Sequence, residues 1–230
     1  MSDHQEIIRV GIIGYGFMGR THAKAYKDAQ VDGYPVRLAA IANRDIQSKI
    51  QSGGPGNIHP DEIEVDLKRI ELHNQAESIL KHPELDLISI CTHTETHVDL
   101  AIAALEADKH VLVEKPVAVN SSDVQRLAEA ADGKDRLCIP AMCMRHWPAW
   151  KMIKQLIESN KYGPVRSAVF HRLGSRPNWA VDFYTDQSRS GGVLHDLHIH
   201  DTDFIFHCFG KPSSVTPHAG PLHVTTCYHY

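Results

Sequence analysis

An apolar run, Ile7 to Ile13, leads without a break into Gly14-Tyr15-Gly16-Phe17-Met18-Gly19, and a helix-patterned segment, Met18 to Ala29, follows. G-x-G-x-x-G alone is unspecific, because glycine is common in turns. Placed between a buried strand and a helix it restricts the fold sharply: Gly14 can make the tight turn, Gly16 can let backbone approach a pyrophosphate, and Gly19 can let the helix pack on the sheet. The helix N-terminus supplies N–H donors and a positive dipole end, so Tyr15, Phe17 and Met18 belong to the expected phosphate cradle. At the end of the second strand, where an acid would grip the adenosine ribose, the chain has Asn43-Arg44-Asp45. Asn43 lacks the charge that would repel a 2′-phosphate and Arg44 can pair with one, which points to NADP and leaves NAD open.

Further apolar, β-rich runs are Val36 to Ala42, Leu85 to Cys91, His110 to Val113 and Leu137 to Met142. Helix-patterned segments, His97 to Ala107 and Ser121 to Ala131, lie between them, the second with Ser121 or Ser122 as its expected N-cap. This alternation predicts an α/β fold with a Rossmann doubly wound parallel sheet over residues 1–145. From Gln51 to Asn74 the pattern weakens, and Ser52 to Gly56 reads as a surface loop. After residue 145 the rhythm changes. A helix from Pro148 to Ser159, a strand-like Val165 to Leu173, one long helix from Gly191 to Phe209 and a strand-like Val224 to Tyr230 predict a second, α+β domain over 146–230 with an open, mostly antiparallel sheet.

Composition narrows the function classes. With 42% apolar and 23% charged residues the chain can bury a core, and a formal charge of -4 with scattered basic residues lacks the electrostatic footprint of a nucleic-acid binder. No apolar run approaches a bilayer span and the first residues are polar, so neither membrane nor signal peptide is expected and the cytoplasm is the default compartment. The five cysteines form no C-x-x-C pair and read as reduced core thiols.

Two constellations carry chemistry. Glu114-Lys115-Pro116 stands at the carboxyl end of the strand His110 to Val113, the edge of an open α/β sheet at which ligands bind, and Pro116 restricts the backbone that carries Lys115. On the expected helix, Asp196 and His200 are four residues apart and share a face, where a carboxylate can orient an imidazole and support its protonated form; a solvated polar stripe is the alternative. A metal site is not expected: on one helix His195 and His200 point about 140° apart and His198 to a third side.

Taken in order, the glycine turn, E-K-P and Gly191-Gly192-Val193-Leu194-His195-Asp196-Leu197-His198-Ile199-His200 (G-G-x-x-x-D-x-x-x-H) resemble the Gfo/Idh/MocA oxidoreductases from Ile7 to Tyr230. The stretch from Cys91 to His97 stands in place of that family's T-P-x-x-x-H, with His93 where proline is usual. The resemblance implies NAD or NADP as cofactor and hydride exchange between nicotinamide and a carbinol carbon of a sugar, polyol or cyclitol. It implies that Lys115 holds the reacting hydroxyl, that Asp196 binds or orients substrate and imidazole, and that His200 takes the hydroxyl proton. It further implies that Thr92, His93, His97, Glu114 and Lys115 line the cofactor and that Arg145 contacts cofactor or substrate. Family members continue well beyond the strand that Val224 to Tyr230 resembles. The expectation is therefore a shortened second domain, a fragment or one completed by a partner chain, with homo-oligomerisation through its open sheet. The rivals are a non-catalytic nucleotide-binding regulator or inactive fragment of the same fold, and an NAD-dependent glycosidase.

Overall fold

The computed structural model describes residues 6–51, 66–173, 180–220 and 223–230, so the expected loop Ser52 to Gly56 lies outside the described residues. The chain divides into two compact units, residues 1–141 and 142–230.

The first unit is built on six strands, β1 (Ile8–Ile13), β2 (Val36–Ala42), β3 (Glu71–His73), β4 (Leu87–Ile90), β5 (His110–Val113) and β6 (Cys138–Pro140). All pair in parallel, in the order β3-β2-β1-β4-β5-β6. Strand direction cannot be reversed by a tight turn between parallel neighbours, so helices make the crossovers: α1 (Phe17–Val31), α2 (Ile46–Gln51), α3 (Ala76–Leu80), α4 (His97–Glu106) and α5 (Ser121–Ala131). The central strands are apolar on both faces. Ile12 and Ile41 pack with Ala23 of α1 on one side, and their neighbours Ile13, Ala40 and Ala42 pack with Ile90, Val98 and Val113 on the other. The strand order reverses between β1 and β4, and that crevice is where open sheets of this kind take ligands.

Two expectations for this unit are corrected. The segment read as patternless contains β3, whose three residues are too few to show a period and which is placed by pairing Ala40 with Glu71, Ile41 with Leu72 and Ala42 with His73. The cap of α5 is Asn120 rather than either serine, because its side chain accepts the Asp123 N–H at 2.8 Å.

The second unit holds α6 (Pro148–Glu158), α7 (Val181–Thr185), α8 (Gln187–Ser190), α9 (Gly192–Asp196), α10 (Ile199–Phe209) and a hairpin of β7 (Ser214–Gly220) with β8 (His223–His229). Its core is aromatic: Trp150 meets Phe204 edge-on at 4.7 Å between centroids, Phe170 stacks on Trp150 and meets Phe204 edge-on, and Met144, Phe183 and Ile205 are buried. The expected single helix from Gly191 to Phe209 is two helices. The N–H of His198 reaches back five residues to the Val193 carbonyl at 2.9 Å, which interrupts the regular ladder, and α10 starts afresh. The stretch Val165 to Leu173 is not a strand of either sheet, since β7 pairs with β8 and no strand among the described residues pairs with it. Exposure alternates only at its end, where Phe170 and Arg172 are half-buried and Val169, His171 and Leu173 exposed.

All five cysteines are free, but only Cys91 is buried; Cys227 is exposed. Among the described residues no helix is long and apolar enough to cross a membrane.

Candidate functional site

The glycine turn is fixed by close backbone packing. Gly14 has φ +93°, and a Cβ there would lie 2.6 Å from the Cys91 carbonyl oxygen. A Cβ on Gly19 would meet the Gly14 carbonyl oxygen at 2.0 Å, so α1 can approach the turn only without one. Gly16 differs: a Cβ there would meet nothing within 4 Å, and as N-cap of α1 the residue brings no capping side chain. Open space at Gly16, at the head of a helix, is what the approach of a pyrophosphate requires, and the residues present fit a dinucleotide. Met18 and Phe17 lie in that first turn.

Asn43 does more than spare a 2′-phosphate from repulsion. Its Oδ1 accepts the N–H of Tyr15 at 3.0 Å, so the residue in the ribose-binding position also holds the glycine turn. Arg44, next to it, is exposed. Beyond β4, His93 is exposed at the head of a short 3-10 turn over Thr94–Thr96, closed by the Thr96 N–H on the His93 carbonyl at 3.0 Å. The Thr96 hydroxyl donates to that of Thr92 at 2.7 Å.

His97 opens α4 and is 1% exposed. Its Nδ1 lies 2.9 Å from the Pro116 carbonyl and its Nε2 3.1 Å from the Thr92 carbonyl; a neutral ring donates to one of them. Burial pushes its pKa below the ordinary imidazole range against these acceptors. The ring thus ties the loop after β4 to the Lys115–Pro116 segment, and both of its nitrogens face protein carbonyls.

The Glu114 side chain is buried and both of its oxygens are engaged, Oε1 by His22 Nε2 at 2.9 Å and Oε2 by the Lys115 N–H at 3.1 Å. His22 lies on α1, and its Nδ1 is 2.7 Å from the hydroxyl of Ser89, itself fully buried on β4. Burial opposes charge on His22, but Cys91 and Glu114 outweigh it and push its pKa up to about 10. Burial likewise raises Glu114, and the hydrogen bond and charge of His22 with those of Lys115 more than reverse this, leaving its pKa below the ordinary value. Sequence reasoning passes over His22 and Ser89; the available signal is a polar residue three positions after Gly19, on the helix face that packs on the sheet.

This pair gives stability a defined pH dependence. The folded pKa of His22 is raised from 6.5 to about 10, so its contribution is complete below pH 6.5 and lost as pH rises through about 10. The melting temperature is expected to fall across that window in thermal scans. Glu114→Gln should make the slope shallower and cost about 3 kcal/mol at neutral pH, because it takes the carboxylate partner from a buried imidazolium. A slope unchanged in Glu114→Gln would show that the pair is not its source.

In the second unit, Asp196 closes α9 and His200 lies in the first turn of α10, so the premise that they share one helix face fails. His200 Nδ1 is 3.9 Å from Cys143 Sγ. Arg145 forms a two-pronged pair with Asp203 at 2.8 and 2.5 Å. Arg172 grips the buried Asp201 with two bonds of 2.8 Å. Burial raises Asp201, but His198 and Arg172 hold its pKa at about 2. The Tyr228 hydroxyl is within 3.3 Å of His198 Nε2 and 2.7 Å of the Thr202 hydroxyl. A cleft of about 540 Å³ lies between Trp150, Phe170 and Arg172, and neither Asp196 nor His200 lines it. No group of three or more His, Cys, Asp or Glu residues able to hold a metal is found among the described residues.

Comparison with known proteins matches both halves of the chain. Residues 8–142 match the family model for the Gfo/Idh/MocA oxidoreductase family, NAD-binding Rossmann fold, and residues 150–226 match the Gfo/Idh/MocA C-terminal domain. An uncharacterised oxidoreductase of Escherichia coli is 31% identical, over 94% of this chain and 57% of its own length. The levoglucosan dehydrogenase of Pseudarthrobacter phenanthrenivorans is 27% identical over 90% and 53%, and a scyllo-inositol 2-dehydrogenase (NADP(+)) of Bacillus subtilis is 27% identical over 92% and 54%. The solved structure of a levoglucosan dehydrogenase in complex with NADH and levoglucosan superimposes with a TM-score of 0.76 at 25% identity, over 94% of this chain and 57% of that one. The chain therefore spans little more than half the length of these relatives. With the glycine cradle built, Glu114-Lys115-Pro116 following the fifth strand and models matching on both sides of the unit boundary, the chain belongs to the Gfo/Idh/MocA oxidoreductase family.

Proposed function

We propose that the chain acts as an NAD(P)-dependent oxidoreductase that exchanges a hydride between nicotinamide and a carbinol carbon of a sugar, polyol or cyclitol. The observation that carries this reading is the open cradle at Gly16, set at the strand-order reversal of a sheet whose fifth strand runs into Glu114-Lys115-Pro116. Named relatives act on levoglucosan and scyllo-inositol, and these with myo-inositol are the first substrates to test.

The nicotinamide, when bound, supplies the hydride acceptor. Lys115 hydrogen-bonds the reacting hydroxyl and stabilises the negative charge that develops on its oxygen. His200 receives the hydroxyl proton, since hydride loss from carbon is feasible only as that proton departs, and Asp196 binds or orients the substrate. Phe17, Met18 and the glycines hold the pyrophosphate, while Tyr15, buried and with its N–H taken by Asn43, holds the turn rather than the phosphate. Thr92 and His93 line the cofactor, and Arg145 contacts cofactor or substrate; His97, buried with both nitrogens on the Thr92 and Pro116 carbonyls, holds the loop that carries them rather than touching the cofactor itself. Self-association through the β7–β8 sheet completes the reading.

The neutral Asn43 and exposed Arg44 favour NADP. Titration with NADPH and NADH, followed by nicotinamide fluorescence, is expected to give saturable binding with NADPH preferred, and Arg44→Ala should weaken NADPH about tenfold while sparing NADH. A folded chain that binds neither cofactor would defeat the proposal. Binding without turnover of any polyol would favour the non-catalytic regulator, and aglycone release without net reduction of cofactor the glycosidase.

A further inference from the structure

The ladder that fixes β5 ends just before the residue on which the proposed chemistry depends. The Glu114 N–H still donates to the Ile90 carbonyl at 3.0 Å, and the Ala141 N–H to the Val113 carbonyl at 2.8 Å. From Lys115 onward the backbone is held by side chains instead: its N–H by Glu114 Oε2 at 3.1 Å, and the Pro116 carbonyl by His97 Nδ1 at 2.9 Å. The Glu114 carboxylate would swing freely about its own torsions were its other oxygen not held by His22, which is in turn oriented by the Ser89 hydroxyl at 2.7 Å. Three elements therefore converge on one peptide: α1 through His22, β4 through Ser89 and the end of β5 through Glu114.

We propose that His22 and Glu114 are positioning residues for Lys115: His22 fixes the Glu114 carboxylate, and the carboxylate fixes the peptide from which the Lys115 ammonium reaches the reacting hydroxyl. This rests on the catalytic reading of Lys115 given above. Its physical basis is that a buried ion pair adds little stability over apolar packing of the same volume, whereas it adds direction, because charge-assisted hydrogen bonds are short and angular. The same histidine belongs to the helix that the glycine turn opens, so the lysine peptide and the phosphate cradle are registered to each other by one side-chain link 92 residues apart in sequence.

The test uses the full chain with His22→Leu, His22→Gln and Glu114→Gln, assayed below the melting point of the least stable. Backbone amide exchange is read at Lys115 and, as internal standards, at Val111 and Ile90. In His22→Leu, exchange at Lys115 should quicken about tenfold relative to the standards, since the side chain that fixes the Glu114 carboxylate is lost there. Turnover of the polyol that the wild type oxidises should fall about a hundredfold through kcat, with KM and cofactor affinity nearly unchanged. His22→Gln, whose amide can still donate to Glu114, should recover much of both. Glu114→Gln should lose kcat as His22→Leu does. Wild-type kcat in a folded His22→Leu would overturn the proposal, and so would unchanged exchange at Lys115. A wild-type chain that turns over no polyol sinks the catalytic reading on its own, and the exchange measurement then still decides whether His22 tethers the lysine peptide.

Discussion

Lys115→Ala is expected to lower kcat by about a hundred- to a thousandfold while leaving NAD(P)H affinity within a small factor of wild type. The size follows from the chemistry: as hydride leaves a carbinol, charge builds on oxygen, and a cation placed there does far more for the transition state than for the neutral alcohol. Lysine donates from a compact ammonium, so Lys115→Arg should not restore the rate, because the longer planar fork cannot occupy the same point. His200→Ala removes the proposed proton acceptor and is expected to cost about a hundred- to ten-thousandfold. The two losses act on one step, so the double variant should be little worse than the poorer single one. Stopped-flow reduction of bound cofactor measures all three, and full activity in either single variant would eliminate the mechanism.

The glycine turn offers the second large effect, split cleanly between stability and binding. Gly19→Ala places a methyl group 2.0 Å from a backbone oxygen, and backbone cannot yield as a flexible side chain can. The variant should lose about 3 kcal/mol or more of stability, or fail to accumulate as folded protein. Gly16→Ala meets nothing within 4 Å and sits at φ -84°, a conformation alanine adopts, so its urea midpoint should be near wild type. Its methyl group nonetheless stands in the space reserved for the pyrophosphate, and NADPH affinity should drop about a hundredfold. A stable Gly19→Ala that binds normally, or a Gly16→Ala that binds as wild type does, would each show that the cradle is described wrongly.

Much of the first unit is legible in its residues alone. Ile7 to Gly19 announces strand, turn and helix because burial on both faces, a glycine spacing and a helical period all occur within a short consecutive stretch, and each is a local constraint. β2, β5 and α5 match their expected bounds for the same reason. The lysine after β5 stands out because strand ends are where an open parallel sheet exposes residues to ligand.

Near-neighbour chemistry in the sequence thus accounts for the parallel sheet, the cradle and the edge on which Lys115 stands. The remaining features needed the folded chain, because they depend on partners far along it. β3 exists because β2 offers it a ladder. The helix expected from Gly191 to Phe209 breaks where His198 finds Asp201 and Tyr228, a hydrogen-bonding set that no helical period encodes. The buried pair of His22 and Glu114 is invisible to any local pattern, because a histidine on one helix and a glutamate after a distant strand become one charged unit only when the sheet brings them together and excludes water from both.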